Sequence, residues 1–146
     1  RGPDYPADQI ALVAALLQDI AMRHDIAPQN IVGHSDVAPL RKQDPGPTFP
    51  WRKLAMQGIG RWFDEEAASA EQARFEQTNL PDATWTQQAL NRIGYPIKPT
   101  DEWDPQTQSV LAAFQMHYRP EKVDGVMDAQ TAAILAVMPT TGSAKQ

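Results

Sequence analysis

The sequence predicts a first region of helices around one short strand, followed by a small all-α module of three helices. Three observations carry that prediction. A helical apolar stripe from about Pro6 to His24 leads into the very short apolar run "IVGH", Ile31 to His34. A polar stretch rich in Ala, Glu and Gln then interrupts the chain. Beyond Pro81, two segments repeat each other, each with the signature of a capped helix start. The expected organisation is residues 1–65, a linker over 66–80, and the module over 81–140.

Taken in order, Ile10, Val13, Leu16, Leu17 and Ile20 recur at three- and four-residue steps and predict one apolar helix face. Pro6 suits the first turn, and Pro28 in "HDIAPQN" cannot continue the helix. "IVGH" reads as a buried strand that Gly33 lets turn sharply. A proline-rich loop follows, and "PWRKLAMQGIGRWF" predicts a second helix carrying Trp51, Leu54, Ile59 and Trp62, its end weakened by Gly58 and Gly60. "DEEAASAEQARFEQTNLPDA", from Asp64, is short of large apolar groups and reads as a solvated helix or linker that includes Glu65 and Glu66.

In the second region a helix over roughly Trp85 to Ile93 ends at "GYP". "WDPQTQSVLAAF" (Trp103 to Phe114) then aligns without gaps on "MDAQTAAILAVM" (Met127 to Met138), matching Val110 with Ile134, Leu111 with Leu135 and Phe114 with Met138. Asp104 and Asp128 are natural N-caps, because a carboxylate accepts from the free N–H groups of a first turn. Pro105 sits where its missing N–H costs nothing. Thr107 and Thr131 stand where a reciprocal capping contact is possible.

Composition limits the function. The chain of 146 residues has a net charge of -5, the wrong sign for a protein that tracks nucleic-acid phosphates. No apolar run approaches the roughly 18 residues of a membrane helix. Zero cysteines leave histidine and carboxylate as the donors for any metal.

The stretch that carries chemistry is "GHSDVAPLRKQDPGP", Gly33 to Pro47. It sets His34 after an apolar dipeptide and Lys42 two residues before Asp44, with Pro45 and Pro47 stiffening the loop. Extended to Trp51, and with "GIGRW" after the next helix, this stretch resembles the AmpD/AmiD-type N-acetylmuramoyl-L-alanine amidases. The likeness runs over roughly Tyr5 to Trp62. It implies an α/β amidase fold of which this chain holds only the C-terminal part, helices and a short strand. It also implies that His34 and Asp44 are zinc ligands and that Lys42 is catalytic, stabilising charge on the reacting carbonyl. Zinc accepts imidazole and carboxylate donors and leaves a fourth position for water in sites of this kind. The second region resembles the peptidoglycan-binding type 1 domain, on "ALNRIGY", the two Asp-x-x-Thr helix starts, "FQ" at Phe114-Gln115 and "VDGVMDAQT" from Val123. That likeness runs from about Thr84 to Met138 and implies a small three-helix domain that binds wall polymer without chemistry.

The resemblance also exposes gaps. The family uses a further zinc histidine and a glutamate, both on strands that the sequence does not contain. His24 and His117 both read as last-turn partners of helix carbonyls rather than as ligands. The beginning "RGPDYPADQ" reads as mid-loop, so the expectation is a separate N-terminal fragment of the same enzyme that supplies the missing groups. Asp36 is expected to brace the loop as an acceptor, Arg41 to be a surface or substrate-proximal charge, and the four tryptophans to pack rather than stack on sugars.

Two functions follow from this. One is zinc-dependent hydrolysis of the bond between N-acetylmuramic acid and L-alanine, in peptidoglycan or muropeptides, anchored by the wall-binding module. The other is a non-catalytic peptidoglycan-binding fragment or recognition protein. The binding module implies a cell-envelope, periplasmic location, with outer-membrane association left open.

Overall fold

The computed structural model of the chain describes residues 4–27, 30–37, 39–40 and 45–140, with His34 by its backbone alone. Among these residues every regular element is helical: α1 (Ala7–His24), α2 (His34–Val37), α3 (Trp51–Met56), α4 (Glu65–Glu76), α5 (Ala83–Arg92), α6 (Pro105–Tyr118) and α7 (Ala129–Val137). The short strand expected at Ile31–His34 is not formed. A strand needs a neighbour for its N–H and C=O groups, and there is no other strand among the described residues. The Asp36 carboxylate accepts from the Gly33 N–H instead, at 3.0 Å, and His34 opens a single helical turn.

α1 has the expected length but buries a narrower face than its stripe suggests. Ala14 and Leu17 join a small core with Trp51, Leu54 and Ile59. Leu12 and Leu16 stay 72% and 56% exposed, and Met22 is bare as well. Pro6 stands just outside the helix, at the N-cap position. The stop comes before Pro28: Asp25 adopts a left-handed φ of 53° and its N–H reaches the Ala21 carbonyl. α3 is a short helix because Gly58 and Gly60 leave the helical region at φ of +81° and +80°. Gly60 also meets the Trp51 ring so closely that a Cβ there would lie 3.3 Å from it.

The region expected to be a solvated helix or linker is the helix α4, and one side of it is covered. Ala68 and Phe75 are buried, and Phe75 packs with Ala132 and Ala133 of α7. Its charged side faces solvent, although Glu65 is engaged: it accepts from Arg52 at 2.6 and 3.0 Å and from the Trp62 indole at 2.7 Å.

Helices α5, α6 and α7 enclose the larger core, with Leu90, Ile93, Val110, Leu111, Phe114, Ile134 and Leu135. Asp104 and Asp128 cap α6 and α7 by accepting from the Thr107 and Thr131 N–H groups at 2.9 and 2.7 Å. Asp82 does the same for α5 through Trp85. The Thr107 hydroxyl donates to the cap's own carboxylate at 2.6 Å, so the reciprocal contact runs between side chains.

Two buried glutamines hold the loops that precede these caps. The Gln87 amide donates to Thr100, to the Glu102 carbonyl and to Thr107, and its oxygen accepts from the Asp101 N–H. Gln115 donates to the Val126 carbonyl and to Thr131, and accepts from the N–H groups of Asp124 and Gly125. Each glutamine on one helix thereby fixes the entry into the next.

Candidate functional site

The candidate metal loop leaves α2 and returns to α3, and both of its shoulders are held. His34 is the first residue of α2. Lys42 and Asp44 lie outside the described residues, as does Arg41, so the structure does not place them against His34. On the return side, the Tyr5 hydroxyl donates to the Pro45 carbonyl at 2.7 Å, immediately after Asp44. Tyr5 in turn meets Phe49 edge-on at 5.5 Å, and Phe49 meets Trp51 at 4.8 Å. Aromatic edge contacts of this kind add to the burial that already favours the arrangement.

On the outgoing side the anchor is Asp36, two residues after His34. Its side chain is buried and accepts three hydrogen bonds: from the Gly33 N–H at 3.0 Å, from the Tyr95 hydroxyl at 2.5 Å and from His117 Nδ1 at 2.7 Å. A carboxylate only accepts, so this contact places a proton on His117 Nδ1. Burial pushes the Asp36 carboxyl up, but the bonds and charge of His117, with Tyr95 and the Gly33 N–H, outweigh it and hold the group below its ordinary range. Tyr95 moves well above the usual phenol range, first through burial and then through the Asp36 charge. Asp36 therefore braces the loop as an acceptor, as the sequence suggested.

His117 differs from its expected role as a partner of helix carbonyls. It lies in the last turn of α6, but its ring is buried and stacks on Trp51 at 4.2 Å, with planes 10° apart. Its Nε2 meets no hydrogen-bond partner among the described residues. Trp51 is thus a core residue shared between the two regions, and Trp62 packs beside both cores. Trp85 packs partly, while Trp103 remains 41% exposed. Arg61 adds a further tie, donating to the Ile93 carbonyl at 2.6 Å and the Pro139 carbonyl at 2.8 Å.

The sequence reading found Asp36 but missed Tyr95 and His117 as its partners and Tyr5 as the support of Pro45. Asp36 and His117 are 81 residues apart, and Asp36 and Tyr95 are 59 apart. No spacing rule reaches across that distance. The one available signal was a histidine in an otherwise apolar stretch of α6, and it admits several readings.

The donor chemistry of the loop suits a zinc ion. Imidazole and carboxylate, the side chains of His34 and Asp44, are donors that zinc accepts. Among the described residues no group of three His, Asp or Glu side chains is arranged to hold a metal. His117 does not complete the set: its remaining nitrogen, Nε2, is buried where the ring stacks on Trp51 and Tyr118, and it belongs to no group of three such side chains among the described residues. His24 is exposed at the end of α1.

Comparison with known proteins fits this arrangement. Residues 1–47 match the family model of N-acetylmuramoyl-L-alanine amidases, and residues 79–135 match that of a peptidoglycan binding domain. The chain is 43% identical over 132 residues to the N-acetylmuramoyl-L-alanine amidase AmiD of Escherichia coli (strain K12), covering 90% of this chain and 47% of that protein. Among solved structures it is similar to AmpDh3 of Pseudomonas aeruginosa, with 42% identity and a TM-score of 0.87 over 94% of this chain and 54% of the other. It also resembles Escherichia coli AmiD in complex with anhydro-N-acetylmuramic acid-L-Ala-D-γ-Glu-L-Lys, with 38% identity and a TM-score of 0.82 over 92% of this chain and 52% of the other. The chain thus spans about half the length of the relatives it matches.

Proposed function

We propose that this chain is the part of a zinc-dependent N-acetylmuramoyl-L-alanine amidase that carries two metal ligands, the charge-stabilising lysine and a wall-binding module. The observation that carries the proposal is the order of the two family matches. The amidase match ends on the loop that holds His34, Lys42 and Asp44, and the peptidoglycan-binding match follows it in the same chain. The domain division we propose is 1–65 for the amidase part, 66–80 as the connecting helix and loop, and 81–140 for the module.

Three protein ligands suffice for a catalytic zinc, and His34 and Asp44 would provide two of them. Zinc, when bound, supplies a water acidic enough to attack an amide near neutral pH. The residues of this chain do the rest by placement. Lys42 holds an ammonium near the carbonyl oxygen of the amide between N-acetylmuramic acid and L-alanine, where negative charge grows during attack. The remaining ligand and a proton-transferring glutamate come from a further N-terminal fragment of the same enzyme. The exposed Leu12, Leu16 and Met22 of α1 give that fragment an apolar face to cover, and each such side chain buried is worth roughly 1.5–3 kcal/mol. Peptidoglycan or soluble muropeptides are the substrates, and the location is the cell envelope, on the periplasmic side. A non-catalytic wall-binding role is the second reading, favoured only by the incomplete ligand set.

The experiment uses the full-length enzyme. His34→Ala and Asp44→Ala each remove one ligand and should abolish bound zinc and amidase activity together. Lys42→Ala should keep zinc while kcat falls about a hundredfold, the scale of a lost oxyanion donor. Near-stoichiometric zinc in either ligand variant would overturn the assignment.

A further inference from the structure

The wall-binding module of such an enzyme could be a tethered anchor, joined to the catalytic part by a flexible connection. The structure shows a different relation. The buried carboxylate of Asp36 receives two of its three hydrogen bonds from the module, Tyr95 in the loop after α5 and His117 in α6. Its third bond holds the Gly33 N–H, one residue before His34. Trp51 at the start of α3 stacks on His117, and Trp62 lies 5.6 Å from the Tyr118 ring. Arg61 binds the carbonyls of Ile93 and Pro139. The module therefore grips the loop next to its proposed metal ligand.

We propose that Asp36 is a positioning residue for the Gly33–His34 turn, with Tyr95 and His117 as its fixed supports, so that the module forms part of the catalytic unit. This rests on the reading of His34 as a zinc ligand. The physical argument concerns degrees of freedom. A turn of four residues such as α2 has almost no hydrogen bonding of its own, because nucleating a helix fixes many dihedrals for few bonds. Asp36 replaces that missing support with three bonds to a buried carboxylate, where each is stronger than it would be in water. A ligand displaced by even about 1 Å can cost up to a hundredfold in rate.

The test uses full-length enzyme with Tyr95→Phe, His117→Phe and His117→Asn. Phenylalanine at 117 keeps a flat ring against Trp51 and Tyr118 but loses the Nδ1 donor. Asparagine loses the stack but keeps a donor near the same point. We measure amide hydrogen exchange at residues 33–37, zinc retention against a chelator, kcat and KM on a soluble anhydromuramyl tripeptide, and sedimentation with wall sacculi. Tyr95→Phe and His117→Phe should each speed exchange at 33–37 and lower kcat about tenfold, with KM and sedimentation unchanged, and His117→Asn should restore most of the loss. A normal His117→Phe beside an impaired His117→Asn would show that only stacking matters and would overturn the proposal. So would faster exchange with an unchanged kcat. If the wild-type enzyme neither binds zinc nor cleaves, the amidase reading fails, and exchange at 33–37 still reports whether the brace exists. Tyr95→Phe, which keeps its ring against Phe114, carries the comparison if a substitution at 117 prevents folding.

Discussion

Replacing Gln115 with leucine should destabilise the helical module by about 3–5 kcal/mol, and the number follows from the fate of four polar groups. Leucine has nearly the volume of glutamine, so the surrounding core of Phe114, Leu111 and Ile134 need not collapse. What is lost is pairing. The Gln115 amide nitrogen donates to the Val126 carbonyl at 3.0 Å and the Thr131 hydroxyl at 3.2 Å, and its oxygen accepts from the Asp124 and Gly125 N–H groups at 3.1 and 2.8 Å. Asp124 and Val126 are exposed and can turn to water. The Gly125 N–H is buried and stranding it costs about 1–3 kcal/mol, while the buried Thr131 hydroxyl, which keeps Asp128, and the water-exposed pair each account for roughly 1 kcal/mol more. Against the 5–15 kcal/mol of an ordinary domain this is a large fraction. The assay is urea denaturation followed by circular dichroism, where a loss of about 4 kcal/mol lowers the midpoint by roughly 2 M at a slope near 2 kcal/mol per M. Gln87→Leu should behave alike, since Gln87 holds the loop before α6 in the same way. A cost below about 1 kcal/mol with an unchanged slope would refute the reasoning, because the buried groups would then have found other partners.

Two further predictions test the same loop and its cap. Gly125→Ala should cost more than about 2 kcal/mol, because Gly125 has φ +68° and a Cβ there would lie 2.7 Å from the Gln108 carbonyl oxygen; a melting temperature within a degree of wild type would contradict it. Asp128 is pushed up by burial but pulled further down by Arg119 and by Thr131, so its folded pKa lies below the unfolded one. Its contribution is therefore complete above the unfolded value of about 3.9 and lost as pH falls through the depressed folded value. Asp128→Asn should flatten that part of the acid limb, read from melting temperatures between roughly pH 6 and pH 2, and an unchanged limb would remove Asp128 from the account.

The module was the legible part of the chain, and the reason is local. Asp104 and Asp128 cap helices that begin one residue later, Pro105 marks its own position, and the apolar residues that follow are within a few turns of one another. Interactions over three or four residues leave their mark on spacing. The glutamines show the limit of this. "FQ" at Phe114-Gln115 was part of the pattern, but nothing in the spacing said that the amide would reach forward to Gly125 and Thr131, since that requires the loop to fold back onto α6. The first region was less legible for a further reason. Its apolar stripe over Ile10, Val13, Leu16, Leu17 and Ile20 is real, yet only part of it is covered, because burial depends on what lies opposite. The same holds for "IVGH". Its composition suits a strand, but a strand is a property of two segments, and the Gly33 N–H takes the nearer acceptor on Asp36.

The candidate site divides along the same line. His34, Lys42 and Asp44 were found through a resemblance of one continuous loop, whose order survives in the sequence whatever the rest of the chain does. The scaffold around that loop is assembled from remote pieces: Tyr5 on Pro45, Tyr95 and His117 on Asp36, Arg61 on Ile93 and Pro139. None of these pairs has a spacing that a local rule could recognise, and a lone histidine in the last turn of a helix reads first as a partner of its own carbonyls. The buried charge makes the difference. A carboxylate as buried as Asp36 is costly to keep ionised without donors, so once Asp36 is known to be buried, the structure must bring donors to it. The sequence shows the carboxylate and the donors separately; only the packing of α6 against α2 and α3 shows that they belong to one another.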